Sequence, residues 1–189
     1  GNGKKEQVLT YFIGDKEIPF ATKAELEKQM PVLKKQFLYA EDLAKSSLSE
    51  IFSKEKLGKS TIHQAWYFSN AVLLNKGNLN FETVALPAEA QFTSFKDAAV
   101  VDANADDKPD IFLAGNYYDN NIEMGRYDAD YATLLINKGG GKFICSPLNG
   151  IVVKGQVRRL KPIGIGKQKA FLLAKNSDSL AVLQFQYKK

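Results

Sequence analysis

One short segment of this chain occurs twice, and this internal repeat constrains the possible folds more than any other feature. Residues 73–81 (LLNKGNLNF) return about 60 positions later as residues 135–143 (LINKGGGKF). Each copy has apolar residues on both sides of a glycine turn, which predicts two β-strands joined by a tight connection. A second pair has the same spacing, because residues 111–116 (IFLAGN) resemble residues 171–176 (FLLAKN). We therefore expect β units with a period of about 60 residues.

A weaker third copy at residues 11–15 (YFIGD) precedes the segment at residue 111 by one period plus an insertion of about 40 residues. The insertion has the signals of helices, since Thr22 and Glu25 have the spacing of a capping box. Apolar residues follow at helical spacing: Leu26, Met30, Leu33, Phe37, Leu43, Leu48 and Ile51. Residues 22–57 are predicted to be a helical insertion, broken near Pro31 and Tyr39. Its apolar side is expected to pack against the β core; the alternative is a helix that binds a partner.

The other apolar segments are short, and Gly, Asn, Asp or Pro residues separate them. The predicted strands are residues 62–74, 80–86, 98–101, 111–114, 132–137, 142–146, 157–162, 170–175 and 180–187. Strands at this spacing are typical of successive β-propeller blades. We predict a mainly β fold of about three propeller-like blades in an incomplete ring, with an N-terminal helical insertion.

The predicted repeats span residues 1–90, 91–150 and 151–189 approximately. Three blades are fewer than the four to eight of a closed propeller. We therefore expect residues 1–189 to form a single propeller-like fragment. Its partners would be the remaining blades of a longer chain or a second copy of this one.

A loop between two predicted strands has oxygen-bearing side chains at alternate positions. Asp102, Asn104, Asp106 and Asp110 occupy loop positions 1, 3, 5 and 9, and Lys108 at position 7 can offer its backbone carbonyl. Calcium takes six to eight oxygen ligands, and a curled loop directs alternate residues toward one centre. The spacing predicts a calcium site.

Two other interpretations of this loop can be compared with its spacing. An EF-hand requires glycine at position 6 and glutamate at position 12, where this chain has Asp107 and Leu113. The spacing therefore excludes an EF-hand. The remaining alternative is a polar turn whose Asp and Asn side chains accept hydrogen bonds from their own backbone.

The loop and its surroundings resemble the FG-GAP or VCBS repeat proteins, whose calcium loop has the form D-x-[DN]-x-D-G-x-x-D. The matching positions are Asp102, Asn104, Asp106 and Asp110 in the loop, residues 111–115 in the next strand, and residues 139–143 in the later glycine turn. Residues 82–92 and 125–128 look like the bacterial members akin to the ASPIC/UnbV-associated repeat proteins. The chain differs from the family at Asp107 and Gly140, which replace the usual glycine and turn aspartate.

The resemblance implies an integrin-α-like β-propeller that is exported, whether periplasmic, secreted or on the cell surface, and that serves binding or assembly. Export suits calcium sites, because extracellular modules bind the ion in the millimolar to sub-millimolar range. Only one repeat keeps the loop, since residues 155–159 of the last repeat have no acidic series. We expect one bound calcium ion.

The long connection after the predicted strand 111–114 has the composition of a recognition loop. The residues proposed to contact a ligand are Tyr117, Tyr118, Arg126, Tyr127 and Asp128. The alternative is an ordered hairpin tip whose tyrosines pack on a neighbouring blade.

Several other functions are disfavoured by composition. The net charge is +5, but it comes from scattered lysines and only three arginines, so the sequence predicts no nucleic-acid binding. His63 is the only histidine and Cys145 the only cysteine, and no P-loop, dinucleotide fingerprint or nucleophile elbow is present. No apolar segment approaches the length of a membrane span. We expect no catalytic residues.

The sequence therefore predicts a non-catalytic, calcium-binding repeat module that binds a protein or carbohydrate ligand at the bacterial surface or in the periplasm. The alternative is an accessory or substrate-positioning β domain of a larger enzyme whose catalytic part lies outside this chain. Further acidic-loop repeats upstream would favour the first function, and a catalytic domain upstream would favour the second.

Overall fold

The computed structural model describes residues 5–148, 150–166 and 168–185. Strands account for 37% of the chain and helices for 18%, which confirms the prediction of a mainly β fold. The strands form small antiparallel sheets, and none of the sheets in the described residues closes on itself. Contacts divide the chain into two compact units, Gly1–Ala65 and Trp66–Lys189.

The N-terminal unit combines one hairpin with short helices. Its strands are β1 (Thr10–Ile13) and β2 (Lys16–Pro19), and its helices are α1 (Lys23–Gln29), α2 (Leu33–Gln36), α3 (Ala40–Lys45), α4 (Leu48–Ile51) and α5 (Lys54–Gly58). The capping box is present at the start of α1, where Thr22 and Glu25 each accept a hydrogen bond from the other's backbone N–H. The segment predicted as a helical insertion thus contains five helices. One side chain from each of the first four fills a small core: Leu26, Leu33, Leu43 and Ile51.

The described residues of the C-terminal unit form three sheets. Its strands are β3 (Ala71–Gly77), β4 (Asn80–Ala85), β5 (Phe95–Val101), β6 (Asp110–Gly115), β7 (Thr133–Asn137), β8 (Phe143–Ser146), β9 (Val157–Ile165), β10 (Gln168–Lys175) and β11 (Ala181–Gln184). Sheet neighbours follow chain order as β3-β4, β5-β6-β7-β8 and β9-β10-β11, and every pair is antiparallel. The repeated hairpin of the sequence corresponds to β3-β4 and β7-β8.

One predicted strand is wrong over much of its length. The strand expected at residues 62–74 begins only at Ala71, and residues 62–70 have no regular structure. Strand β3 extends only as far as its partner strand β4 can pair with it. The Leu86 N–H still donates to the Asn70 carbonyl at 3.0 Å, but the chain then turns into a 3-10 helix, Ala88–Gln91, and no longer runs beside residues 62–69 as a strand. His63 therefore lies outside any strand.

The four-stranded sheet packs on both faces. Neighbouring residues of a strand point to opposite sides, so Phe112 and Ala114 of β6 enter the cluster that contains Phe171 and Leu173 of β10. Leu113 enters a second cluster, which includes Val72 of β3. Strand β6 is therefore the most completely buried strand of the unit.

Candidate functional site

The acidic loop, residues 102–110, connects β5 to β6 and is curled by hydrogen bonds from its own backbone. The Asp102 carboxylate accepts from the N–H groups of Asp106 and Asp107, each at 3.1 Å. Asn104 Oδ1 also accepts from the Asp106 N–H at 3.1 Å, and Asp106 Oδ1 accepts from the Lys108 N–H at 3.0 Å. Asp107 has a φ of 61°, in the left-handed region that the family's glycine would adopt without strain.

Asp110, the last predicted ligand, is fully buried and joins two loops. Its Oδ2 accepts from the Ala103 N–H at 2.9 Å, and its Oδ1 accepts from the Asn137 N–H at 2.8 Å. The Asn137 amide in turn donates to the Pro109 carbonyl at 3.1 Å. Asp110 therefore fastens the acidic loop to the end of β7.

The carboxylate and amide oxygens of the acidic loop are of the chemical type that calcium prefers. Lys108 Nζ donates to Asp106 Oδ2 at 3.1 Å, and this hydrogen bond lowers the pKa of Asp106. Within the described ranges, no three or more His, Cys, Asp or Glu side chains form a group that could hold a metal ion. Backbone amides and one lysine satisfy the carboxylates in this conformation, as the polar-turn alternative requires.

The hairpin loop, residues 117–128, extends the β6-β7 hairpin beyond the sheet. Tyr117 and Tyr127 form an antiparallel bridge in which each N–H donates to the other's carbonyl at 2.9 Å. A short 3-10 helix, Ile122–Met124, forms the tip. The five residues predicted to contact a ligand all lie on this loop: Tyr117, Tyr118, Arg126, Tyr127 and Asp128.

Asn116 anchors the base of the hairpin loop although only 1% of its surface is exposed. Its Nδ2 donates to the carbonyls of Asp130 at 2.8 Å and Gly155 at 3.2 Å, and to Asp128 Oδ1 at 3.3 Å. Its Oδ1 accepts from the Asp130 N–H at 3.0 Å and from the Thr93 hydroxyl at 3.1 Å. One buried side chain thus ties both sides of the loop to neighbouring segments.

Asp130 supplies a second buried anchor. Its Oδ2 accepts from the Gly115 N–H at 3.2 Å, and its Oδ1 accepts from the Thr133 hydroxyl at 3.0 Å. Burial raises the pKa of Asp130, while these donors partly oppose the rise. The ligand contacts predicted from sequence include neither Asn116 nor Asp130, although these two residues hold the base of the loop. A signal for Asn116 was present, because the same amide recurs as Asn176 at the end of the repeated strand segment.

Two of the three tyrosines of the hairpin loop have a cation over the ring. Lys96 Nζ lies 4.6 Å from the ring centroid of Tyr117, and the Arg126 guanidinium lies 5.0 Å from that of Tyr118. The Tyr118 hydroxyl donates to Asp128 Oδ1 at 2.6 Å, and burial, followed by this hydrogen bond, raises the pKa of Tyr118. These contacts favour fixed ring positions.

Two further features, the thiol of Cys145 and the length of the helices, lie outside these loops. Cys145 is half-buried, and burial raises the pKa of its thiol, which favours the protonated form. No helix among the described residues is both long and apolar enough to span a membrane.

Comparison of the chain with protein-family models, with curated protein sequences and with solved structures gives no match.

We expect the pKa of Asp130 to lie above the ordinary Asp value and the pKa of Asp106 to lie below it. Native Asp130 holds its proton more tightly than the unfolded chain does. Its contribution to the free energy of unfolding is therefore fully present below the ordinary pKa and is lost as the pH rises through the raised value. For Asp106 the contribution is present above the ordinary pKa and is lost as the pH falls through the lowered value. Carboxyl-carbon NMR titration measures both; an Asp130 midpoint at or below that of Asp106 would contradict the assignment.

Proposed function

We propose that this chain is a non-catalytic module that binds a protein or a glycan through the hairpin loop, residues 117–128. One observation carries the proposal: buried hydrogen bonds fix the base of the loop, while its tip exposes apolar and aromatic side chains. A loop that is already ordered loses little conformational entropy when it binds. Such preorganisation is typical of recognition loops carried by a rigid sheet.

The rigid base depends on buried groups that leave no donor or acceptor unpaired. Asn116, Thr93 and Asp130 are buried, and Asn116 Oδ1 accepts from both the Thr93 hydroxyl and the Asp130 N–H. Within the described side chains, no buried nitrogen or oxygen lacks a hydrogen-bond partner. Because breaking such a network strands polar groups away from water, the base resists deformation.

The exposed part of the loop has the chemistry of a binding surface. Ile122 is 96% exposed, Met124 47% and Tyr127 40%. Arg126 is exposed beside them, with its guanidinium over Tyr118. Tyr, Arg and Met are enriched at the centres of protein interfaces, so the tip combines apolar area with one directional cation.

Calcium binding, export and kinship with the FG-GAP or VCBS repeats are further parts of this proposal. The loop spacing and the backbone curl around Asp102, Asn104 and Asp106 support calcium binding, because each carboxylate oxygen that accepts one amide keeps a second lone pair. A calcium ion at this place would displace the Lys108 ammonium from Asp106. The four-stranded antiparallel sheet has the size of one propeller blade, which supports the proposed kinship.

We expect that changing the tip of the hairpin loop removes ligand binding. The probes are a glycan array and a phage-displayed peptide library, each applied to the full chain. A ligand selected in this way should lose at least about tenfold in affinity for the double variant Arg126→Ala, Tyr127→Ala, because truncating a central aromatic or arginine anchor costs about 2 kcal/mol or more.

Tyr131→Ala is the matched control for this experiment. Tyr131 is 50% exposed, similar to Tyr127, but lies outside the hairpin loop. Its substitution should leave affinity unchanged. Selected ligands that bind the double variant as tightly as wild type would contradict the proposal, as would two libraries that yield no ligand.

We expect calcium at about 10 mM to raise the free energy of unfolding by about 1–3 kcal/mol relative to chelator, the range for a site of extracellular affinity. Asp106→Ala should abolish this effect. Lys108→Ala should enlarge it, because the backbone carbonyl remains while the competing ammonium is gone. Thermal unfolding with calcium and with chelator measures the difference.

Asp178→Ala is the control for the calcium experiment. Its carboxylate accepts from Lys175 Nζ at 2.7 Å, as Asp106 does from Lys108, but outside the acidic loop. This variant should keep the full calcium effect. Identical wild-type melting curves with calcium and with chelator would refute calcium binding.

A further inference from the structure

The two copies of the repeated hairpin form turns of the same shape. The repeat aligns without a gap, so the turn residues correspond one to one: Gly77, Asn78 and Leu79 in β3-β4, and Gly139, Gly140 and Gly141 in β7-β8. Their φ values are 85°, 49° and 61° in the first turn and 80°, 59° and 81° in the second. Glycine adopts this left-handed region without strain, whereas leucine does not. Leu79 nevertheless adopts it, and its side chain is 91% exposed.

Within the chain, the β7-β8 turn packs on the β3-β4 hairpin. A Cβ added to Gly141 would lie 2.6 Å from Leu74 Cδ1 and 3.5 Å from Val84 Cγ2. Val84 pairs with Val72, two positions before Leu74 on the same strand, so Leu74 and Val84 share one face of the hairpin. The turn of one hairpin thus docks on a face of the hairpin before it, with a glycine against a leucine and a valine.

The corresponding face of the β7-β8 hairpin borders an open groove. In the repeat, Ile136 corresponds to Leu74 and Ser146 to Val84, and the two ladders have the same register. The groove has a volume of about 740 Å³, and its lining is largely apolar: Leu134, Ile136, Ile144, Ser146, Leu148 and Phe185. This groove is therefore the equivalent, one repeat later, of the surface on which the β7-β8 turn docks.

The free turn and the open groove also match in side-chain size. In the contact within the chain, the small turn residue Gly141 meets the larger Val84. At the corresponding positions, the turn has the larger residue, Leu79, and the groove has the smaller one, Ser146. The volumes are exchanged between the two sides, as close packing of a turn against a face requires.

We propose that the β3-β4 turn of a second copy of this chain docks in this groove, with Leu79 against Ile136 and Ser146. The contact repeats between two copies what the β7-β8 turn does within one. Leu79 leaves water for an apolar groove, and this burial offsets the cost of holding a leucine in the left-handed region. Because the turn and the groove lie on different hairpins, each copy can donate one and accept the other, and the copies stack head to tail.

This association goes beyond the proposed ligand binding and does not rest on it. A stack of copies carries several hairpin loops, residues 117–128, so a ligand with repeated binding sites gains avidity without any new contact. Loss of the stack should weaken binding to such a ligand and leave binding to a monovalent ligand unchanged.

The test is the mass of the full chain in solution, measured by sedimentation equilibrium from about 5 to about 200 μM, a range that covers contacts of micromolar Kd. The average mass of the wild type should rise with concentration and exceed twice the monomer mass of 21.0 kDa. It should not stop at the dimer, because a head-to-tail contact leaves one turn and one groove free at the ends.

Two variants remove one side of the contact each. Leu79→Asp places a carboxylate on the turn, and Ser146→Glu places one in the groove, so each variant alone should stay monomeric. An equimolar mixture should form dimers, because the wild-type turn of one variant meets the wild-type groove of the other. Both variants should fold, since aspartate tolerates the left-handed region better than leucine does and Ser146 lies on the outermost strand of its sheet. Circular dichroism checks this.

Leu180→Asp is the matched control. Leu180 is a 64% exposed leucine in the connection between β10 and β11, outside both sides of the contact. This variant should associate like the wild type. A wild-type chain that stays monomeric over the whole range would overturn the proposal and leave the groove to a different protein. Association that persists in Leu79→Asp or in Ser146→Glu, or a mixture of the two that stays monomeric, would overturn it in favour of another contact.

Discussion

The organisation of the C-terminal unit depends on strand β6. This strand is buried on both faces, and a buried polar side chain lies at each of its ends. Asp110 begins the strand and fixes the acidic loop, while Asn116 follows its end and fixes the hairpin loop. Both side chains are buried and hydrogen-bonded to backbone groups of other segments, so displacing either one would leave polar groups without partners. The rigidity of the core is in this way transmitted to the two loops that carry the candidate functional residues.

The two loops use this support differently. In the acidic loop, the carboxylates turn inward to backbone amides, and Lys108 neutralises the most exposed of the bonded acids, Asp106. In the hairpin loop, the polar bonds lie at the base, and apolar side chains such as Ile122 point to solvent. A loop whose carboxylates accept hydrogen bonds from its own backbone is suited to stabilising the fold. A loop that exposes apolar and aromatic side chains is suited to recognition. For this reason we place the proposed binding surface on the hairpin loop.

The strands and the mainly β class could be predicted because they follow from local features: alternating apolar residues and glycine turns. The strand expected at residues 62–74 failed because strand propensity alone does not provide a hydrogen-bonded partner, and the chain after β4 turns into the 3-10 helix Ala88–Gln91. The buried role of Asn116 could not be derived from its neighbours in sequence, since its partners Thr93 and Gly155 are brought to it by the fold. The spacing of the acidic loop predicts calcium ligands, but the same spacing also suits hydrogen bonds to the loop's own amides, which Asp102 and Asp106 accept.

Hydrogen exchange in Asn116→Gly tests most directly whether buried anchoring holds the hairpin loop rigid. Asn116 has a φ of 75°, which glycine adopts freely, so the substitution removes the side-chain bonds without adding backbone strain. We expect the N–H groups of Tyr117, Tyr127 and Asp130 to exchange at least about tenfold faster in the variant, while amides of the core strand β10 keep their wild-type rates. Unchanged protection of Tyr117 and Tyr127 would show that the loop holds its shape without Asn116 and would refute the anchoring role of that side chain.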